Sequence, residues 1–327
     1  MISIIIPTSN RKDDLLELLD SIVLCSKDVA LPFEVIVINN GDHFGLNGVE
    51  EIYKSNICDF KILFEPRSGL HYARNKGFTE SKGTILAYLD DDVIVNTGWL
   101  NEIISVFKDD KVALATGSNL PLFNECEVGS WFYEYWKPSK LTGNCYFWPL
   151  SVSRNDSLSQ LKIDNNLVWG CNFIIRKSIV ELAGGFHPDG MPKEKIIFRG
   201  DGESYITEFS KLNNFNAIHS PHLKVWHKVN RTRINVDYLF RRGFAEGITQ
   251  GYIEKRNKNK NKFIFDVFLT FLLNLYKMVR RKFMSPSLIK SELLISNGIF
   301  LGKKEFLREY STNLELRNWV KKYNYFD

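Results

Sequence analysis

The sequence predicts an α/β protein: a mainly parallel sheet flanked by helices, with a helical C-terminal extension. Three observations lead there. Short apolar runs alternate with helical periodicity through the first half of the chain. Those runs carry no polar face, the pattern of strands covered on both sides. One of them, Ile85-Leu86-Ala87-Tyr88-Leu89, stops abruptly at three carboxylates, Asp90-Asp91-Asp92.

Taken in order, residues 3–6 and 34–38 are apolar runs closed by turn residues. Between them Leu15, Leu16, Leu18, Leu19, Ile22 and Val23 share one helical face, with Ser9 or Asn10 available as N-cap. Residues 61–64 and 84–89 are further strands, separated by a segment that turns at Gly69 and reads helical from about His71. Leu100, Ile103, Ile104 and Phe107 recur at helical spacing, and residues 112–116 close the series. Ligands in such sheets bind at the carboxyl ends of the strands. Pro7-Thr8, Asn39-Asn40 and Asp90-Asp91-Asp92 therefore line one rim. Adjacent carboxylates repel and resist ionising together. A solvated turn tolerates them, and so does a hard divalent cation such as Mg²⁺ or Mn²⁺, which takes oxygen ligands and shares phosphate-bearing substrates. Residues 118–170 read as irregular and aromatic-rich, with Trp131, Phe132, Tyr133, Tyr135, Trp136, Tyr146, Phe147 and Trp148 either packing a core or offering a platform for sugar faces.

Composition narrows the class. The 327 residues suffice for a proper core in one large or two smaller domains, and 44% hydrophobic with 25% charged residues is ordinary for a globular protein. The five cysteines are scattered and never spaced as CxxC. That favours reduced thiols in a cytoplasmic setting over a disulfide frame or zinc site. The opening Met1-Ile2-Ser3-Ile4-Ile5-Ile6-Pro7 is too short for a secretory h-region and reads as a strand.

Together these residues resemble the family 2 glycosyltransferases of the GT-A fold, across about residues 1–250. Ile4-Ile5-Ile6-Pro7-Thr8 with Asn10-Arg11 is similar to that family's first strand and loop. Glu34-Val35-Ile36-Val37-Ile38-Asn39-Asn40-Gly41-Asp42 is similar to its nucleotide-contacting turn, and Gly69-Leu70-His71-Tyr72-Ala73-Arg74-Asn75-Lys76-Gly77 to its Arg-Asn-x-Gly helix. Leu89-Asp90-Asp91-Asp92 resembles the metal and diphosphate motif; Gly170-Cys171-Asn172 and Ala183-Gly184-Gly185-Phe186 resemble the strand and turn before the catalytic acid. The chain departs from the pattern at Asn39, where the family usually has a base-binding Asp. An amide oxygen still accepts a proton from a pyrimidine ring, and its NH2 adds a donor. It departs again at Arg199-Gly200-Asp201-Gly202-Glu203, where Gly-Glu-Asp is common.

The resemblance implies a metal-dependent transfer of sugar from a nucleotide-diphosphate donor to a glycan or lipid-linked acceptor in surface polysaccharide or lipopolysaccharide synthesis. Mn²⁺ or Mg²⁺ would be held by Asp92, with Asp90 helping or ordering the ribose or a metal-bound water, and His227 as third ligand or phosphate contact. The donor would meet Pro7, Thr8, Asn10, Arg11, Asn39, Arg74, Asn75, Asp90 and Asp91. Arg74 would reach the diphosphate or fix the acidic cluster, while Arg231, Arg233, Arg241 and Arg242 offer phosphate contacts. Glu203 is favoured as base, because Ile206 three positions later matches the family's register; Asp201 is the alternative, otherwise a helix cap or acceptor-orienting group. A helix from this point would bury Ile206, Phe209 and Leu212. A base opposite the leaving group implies single displacement and inversion.

The chain ends in a basic linker, 255–262, and a helical region, giving a division into residues 1–250 and 251–327. Residues 263–279 are apolar except at Asp266, Thr270, Asn274 and Lys277, one polar stripe on a helix. As a helix this stretch covers about 25 Å, short of a roughly 30 Å hydrocarbon core. It suits an interfacial helix on the inner membrane face, or equally a helix packed on the catalytic domain or a second subunit. No nucleic-acid partner is expected, since the linker lacks interleaved aromatics. Two other readings compete: a sugar-1-phosphate nucleotidyltransferase, disfavoured because Pro7-Thr8-Ser9-Asn10 is not a glycine-rich phosphate loop, and a non-catalytic carbohydrate-binding protein.

Overall fold

The computed structural model describes residues 1–27, 29, 31–57, 59–123, 128–139, 143–257 and 285–326. The helix expected over 263–279, and most of the basic linker, lie outside them. From the N-terminus, elements alternate as β1 Ile2–Thr8, α1 Lys12–Ser26, β2 Phe33–Asn39, α2 Val49–Tyr53, β3 Phe60–Phe64, α3 Leu70–Glu80, β4 Ile85–Leu89, β5 Val93–Val95, α4 Trp99–Val106 and β6 Val112–Thr116. There follow β7 Asn119–Phe123, α5 Ser130–Tyr135, β8 Cys145–Phe147, β9 Val152–Arg154, β10 Leu161–Ile163, β11 Asn172–Arg176, α6 Lys177–Ala183, α7 Glu203–Leu212, β12 Asn216–His219, β13 Val225–Val229, α8 Val236–Arg256, α9 Pro286–Thr312 and α10 Leu314–Lys321.

The main sheet runs β10-β12-β6-β11-β4-β1-β2-β3. β4, β1, β2 and β3 are parallel neighbours, as are β12 and β6, while β11 lies antiparallel between β4 and β6. Because side chains alternate across a strand, Ile4 and Ile6 join α1 (Leu15, Leu18, Leu19, Ile22) in one core, and Ile5 joins Ala73 of α3, Phe173 and Phe186 in the other. Every residue of β1 is buried, which is why its sequence lacks alternation.

Three local readings change. The N-cap of α1 is Arg11 without a side-chain bond, not Ser9 or Asn10. Asn10 instead adopts a left-handed φ of 57° and accepts the Asp42 N–H at 2.7 Å. Segment 118–170 is not irregular: it supplies β7, β8 and β9 of a second sheet, ordered β5-β13-β7-β9-β8, and the edge strand β10 of the first. Strands of three to five residues are too short to advertise a period. Trp131, Phe132 and Phe147 pack there with Val152, Val229 and Leu239 as core. In α7, Ile206 is buried but Leu212 is 73% exposed; Thr207 and Ser210 take the inner positions as the stripe drifts off the core.

α8 runs without a break through residue 250 and packs on α9 backbone to backbone: a Cβ on Gly247 would lie 2.1 Å from the Ile299 carbonyl oxygen. The chain end then returns to the main sheet. Tyr325 is buried, and Phe326 stacks on Phe78 of α3 with ring centroids 4.9 Å apart. Among the described residues, no helix is long and apolar enough to cross a membrane.

Candidate active site

The carboxyl ends of β1 and β4 form one rim, and the second sheet closes it. β13 pairs antiparallel with β5, setting His227 opposite Val93, the residue after Asp92. His227 thus stands within a strand rather than just beyond one. Ligand atoms of Asp90, Asp92 and His227 all fall within 4.8 Å of one another. His227 Nε2 is 3.3 Å from Asp92 Oδ1, yet that oxygen and His227 Nδ1 are buried without a hydrogen bond. Burial raises the Asp90 carboxyl against the pull of Arg74, with the Asp92 charge adding to the rise. Asp92 goes the other way: burial is outweighed by His227, Arg11 and Arg233, which hold it well below the carboxylate range. One half-buried and one buried carboxylate, one imidazole and an orphaned oxygen are a donor set that a hard divalent cation fits. These three residues would hold it.

Arg11 caps the cluster from the side, 2.6 Å from Asp91 Oδ1 and 2.5 Å from Asp92 Oδ2. Asp91 is fully buried, accepts a 2.6 Å bond from Thr8 Oγ1, and is pushed up to about 7 by burial despite Arg11. It ties the end of β4 to Thr8 of β1 and to Arg11, two residues that line the rim.

Behind the cation set sits a second centre. Arg74, 2% exposed, donates to Asp189 Oδ2 at 2.8 Å and Glu203 Oε2 at 2.9 Å, and lies 3.7 Å from Asp90 Oδ1. Burial would raise Glu203, but Arg74 overrides it and keeps the carboxylate ionised, well below its ordinary value. Asp189 remains raised, burial outweighing the same arginine. Gly170 passes so close that a Cβ there would lie 2.4 Å from Arg74 Nη2 and 2.9 Å from Glu203 Oε1. Glu203 keeps 29% of its side chain exposed, so it is anchored on one side and open on the other.

The remaining expected residues divide. Pro7, Thr8 and Arg11 line a cavity of about 380 Å³ together with Asn40, Gly69 and Gly190. Asn39 lines a separate cavity of about 210 Å³, and its amide is spent on its own turn: Nδ2 donates to the Asp42 carbonyl at 2.7 Å and Oδ1 accepts the Gly41 N–H at 3.0 Å. Asn75 is directed away from the rim, donating to the Phe186 and Tyr325 carbonyls and accepting the Phe186 N–H. Asp201 meets His187 Nδ1 at 2.7 Å and lines a third cavity with Tyr205 and Glu246. It caps nothing, since α7 starts from Gly202. Asp189 and His187 went unread in the sequence; their one signal was an acid and an imidazole around a proline, directly after the Gly-Gly-Phe turn.

A mainly parallel sheet whose fourth strand ends in carboxylates, backed by helices, is the GT-A architecture. The profile of glycosyl transferase family 2 matches residues 3–182, and the chain belongs to that family. A glucosyl-dolichyl phosphate glucuronosyltransferase of Haloferax volcanii is 20% identical over 299 residues, covering 90% of each chain. Glycosyltransferase AglE of the same organism is 25% identical over 191 residues, 57% of this chain and 55% of that one. Among solved structures, the mannosyltransferase PcManGT of Pyrobaculum calidifontis, in complex with GDP-Man and Mn²⁺, superposes with a TM-score of 0.50 at 14% identity, covering 98% of this chain and 78% of its own. S. aureus TarS 1-349 in complex with UDP-GlcNAc gives a TM-score of 0.50 at 14% identity, covering 94% and 91%. At that identity they share the fold. The family sets aside the nucleotidyltransferase and binding-protein readings.

Proposed function

We propose that this glycosyltransferase moves a sugar from a nucleotide-diphosphate donor to a hydroxyl of a glycan or lipid-linked acceptor, with inversion and with Mn²⁺ or Mg²⁺. The observation that carries the reading is the convergence of Asp90, Asp92 and His227 within 4.8 Å, beside an Arg74-anchored Glu203. The cation would supply charge neutralisation of the departing diphosphate. The chain's own groups do the rest. Pro7, Thr8 and Arg11 wall the nucleotide's cavity at the end of β1. Arg74 acts indirectly, orienting Glu203 and balancing Asp189 and Asp90 rather than reaching for phosphate. Glu203, ionised and open on one side, takes the proton of the acceptor hydroxyl as that oxygen bonds to the anomeric carbon. The bond from that carbon to the diphosphate oxygen breaks, and the nucleotide diphosphate leaves with its electron pair. Attack opposite the leaving group inverts the centre. Asp201 is disfavoured as base because its carboxylate is engaged by His187.

The catalytic unit would occupy residues 1–250 and the extension residues 251–327, of which α9, α10 and the chain end at Tyr325 and Phe326 pack against it. A lipid-linked acceptor accords with the glucosyl-dolichyl phosphate relative and with the basic linker as a contact to an anionic membrane face. A thermal-shift panel of nucleotide diphosphates and nucleotide sugars, with and without Mn²⁺, tests the reading. A shift requiring both metal and one nucleotide is expected; none with any pair would overturn it.

A further inference from the structure

Tyr325, in the short segment that follows α10, is 1% exposed and braces the connection 186–202 between α6 and α7 at both ends. At the near end its carbonyl accepts from Asn75 Nδ2 of α3 at 2.9 Å. The same amide donates to the Phe186 carbonyl at 3.0 Å and accepts the Phe186 N–H at 2.8 Å. At the far end the Tyr325 ring packs 4.8 Å from that of His187, and His187 Nδ1 meets Asp201 Oδ1 at 2.7 Å, two residues before Glu203. The Tyr325 hydroxyl is itself fixed, 2.8 Å from the Tyr252 hydroxyl and accepting from Arg256 Nη1 at 3.2 Å. Arg256 also donates to the Val320 and Lys322 carbonyls, so α8 grips the segment from behind. The Gly184-Gly185 turn is shaped around these contacts. Gly185 has a φ of 90°, and a Cβ there would lie 2.9 Å both from Asn75 Oδ1 and from the Phe326 ring.

The connection held in this way supplies Asp189 and leads into Glu203, the two carboxylates that Arg74 bonds at 2.8 and 2.9 Å. α7 does little to fix its own start: its N-cap, Gly202, has a φ of 53° and no side chain to bond the first turn. Arg74 and Asn75 are consecutive, so the turn of α3 that ties the connection also places the guanidinium. Neither Tyr325 nor Asn75 lines the cavity beside β1 where the nucleotide is assigned. Misplacing a reacting group by about 1 Å can cost about 10²-fold in rate. We propose that Tyr325 is a positioning residue: it clasps the 186–202 connection onto α3 and so keeps Glu203 seated on Arg74. This deepens the proposed function and rests on its reading of Glu203 as base.

Two measurements on full-length protein test the clasp. Amide hydrogen exchange reads it without any activity: Tyr325→Ala should speed exchange over residues 184–190 and 202–206 and leave β1 and β2 unchanged. Mn²⁺-dependent hydrolysis of UDP-GlcNAc or GDP-mannose, expressed per nucleotide site counted by calorimetry, reads the consequence. Tyr325→Ala should lower kcat about 10- to 100-fold with donor KM within about twofold. Tyr325→Phe keeps both the ring on His187 and the carbonyl on Asn75, and should retain most of the rate. In a Glu203→Gln background Tyr325→Ala should cost nothing further, because it acts through that carboxylate. Should Tyr325→Ala fail to fold, Phe326→Ala, which removes only the stack on Phe78, carries the same comparison. Unchanged exchange, a kcat within about twofold of native, a donor KM that rises in step, or an equal loss in the Glu203→Gln background would each overturn the proposal. If exchange changes as expected and neither nucleotide sugar turns over, the clasp stands and the reading of Glu203 as base falls.

Discussion

Replacing Arg74 with Gln tests the electrostatic logic of the site most directly. The substitution keeps a polar side chain but removes the charge that two carboxylates touch at 2.8 and 2.9 Å, and a third faces at 3.7 Å. Breaking a buried ion pair from one side costs about 3–5 kcal/mol, because the remaining charge is stranded. The cost should depend on pH in a defined direction. In the native protein Glu203 is held below its unfolded value, so it contributes stability that is fully present above an ordinary carboxylate pKa and is lost as pH falls from there through the folded value of about 2. Without Arg74, burial is left to raise Glu203 above its unfolded value and Asp189, already raised, further still. The folded variant then binds more protons than the unfolded chain at mildly acidic pH, so its stability falls as pH rises, by up to about 1.4 kcal/mol per pH unit per group. Urea unfolding of native and variant protein at pH 5 and pH 8 measures this. The deficit should be several kcal/mol at pH 8 and clearly smaller at pH 5. A deficit equal at both, or larger at pH 5, would refute the claim that Arg74 serves to keep Glu203 ionised.

Three other outcomes are expected. Asp92→Ala should abolish Mn²⁺-dependent nucleotide binding in the thermal-shift panel, and an unchanged shift would remove the metal role. Glu203→Gln should bind donor normally and lose transfer by about 10²–10⁴-fold, the usual weight of a general base; full activity in a donor-hydrolysis-corrected assay would pass that role to another group. Gly247→Ala places a methyl 2.1 Å from a backbone oxygen of α9, and overpacking of this kind costs about 1–3 kcal/mol, so calorimetry should find Tm lower by about 1.5–4 °C. An unchanged Tm would mean that α8 and α9 separate without penalty.

The main sheet was legible because its signals are local. A run such as Ile4-Ile5-Ile6 closed by a turn needs only its neighbours to be read as a strand, and β1, β2, β3, β4 and β6 all fall where the pattern lies. The acidic end of β4 was equally plain, since a buried strand gives three consecutive carboxylates no structural use. The second sheet was not, because β5, β8 and β9 are three residues each and gain their identity only from partners. Local reasoning also misjudged polar side chains at turns: Asn39, Asn10 and Asn75 look free in sequence but are consumed by backbone groups.

What the sequence by itself determined, then, is the alternation that builds the sheet and the rim on which chemistry can occur. Which carboxylate faces which cation was decided only by tertiary structure. Arg74 meets Asp189 and Glu203 across 115 and 129 residues of chain, and Asp92 meets His227 only because β13 pairs beside β5. Periodicity fixes an element and its buried face from short-range sterics and hydrophobicity. The partner of a buried charge depends on where distant elements pack, and no local pattern encodes that distance.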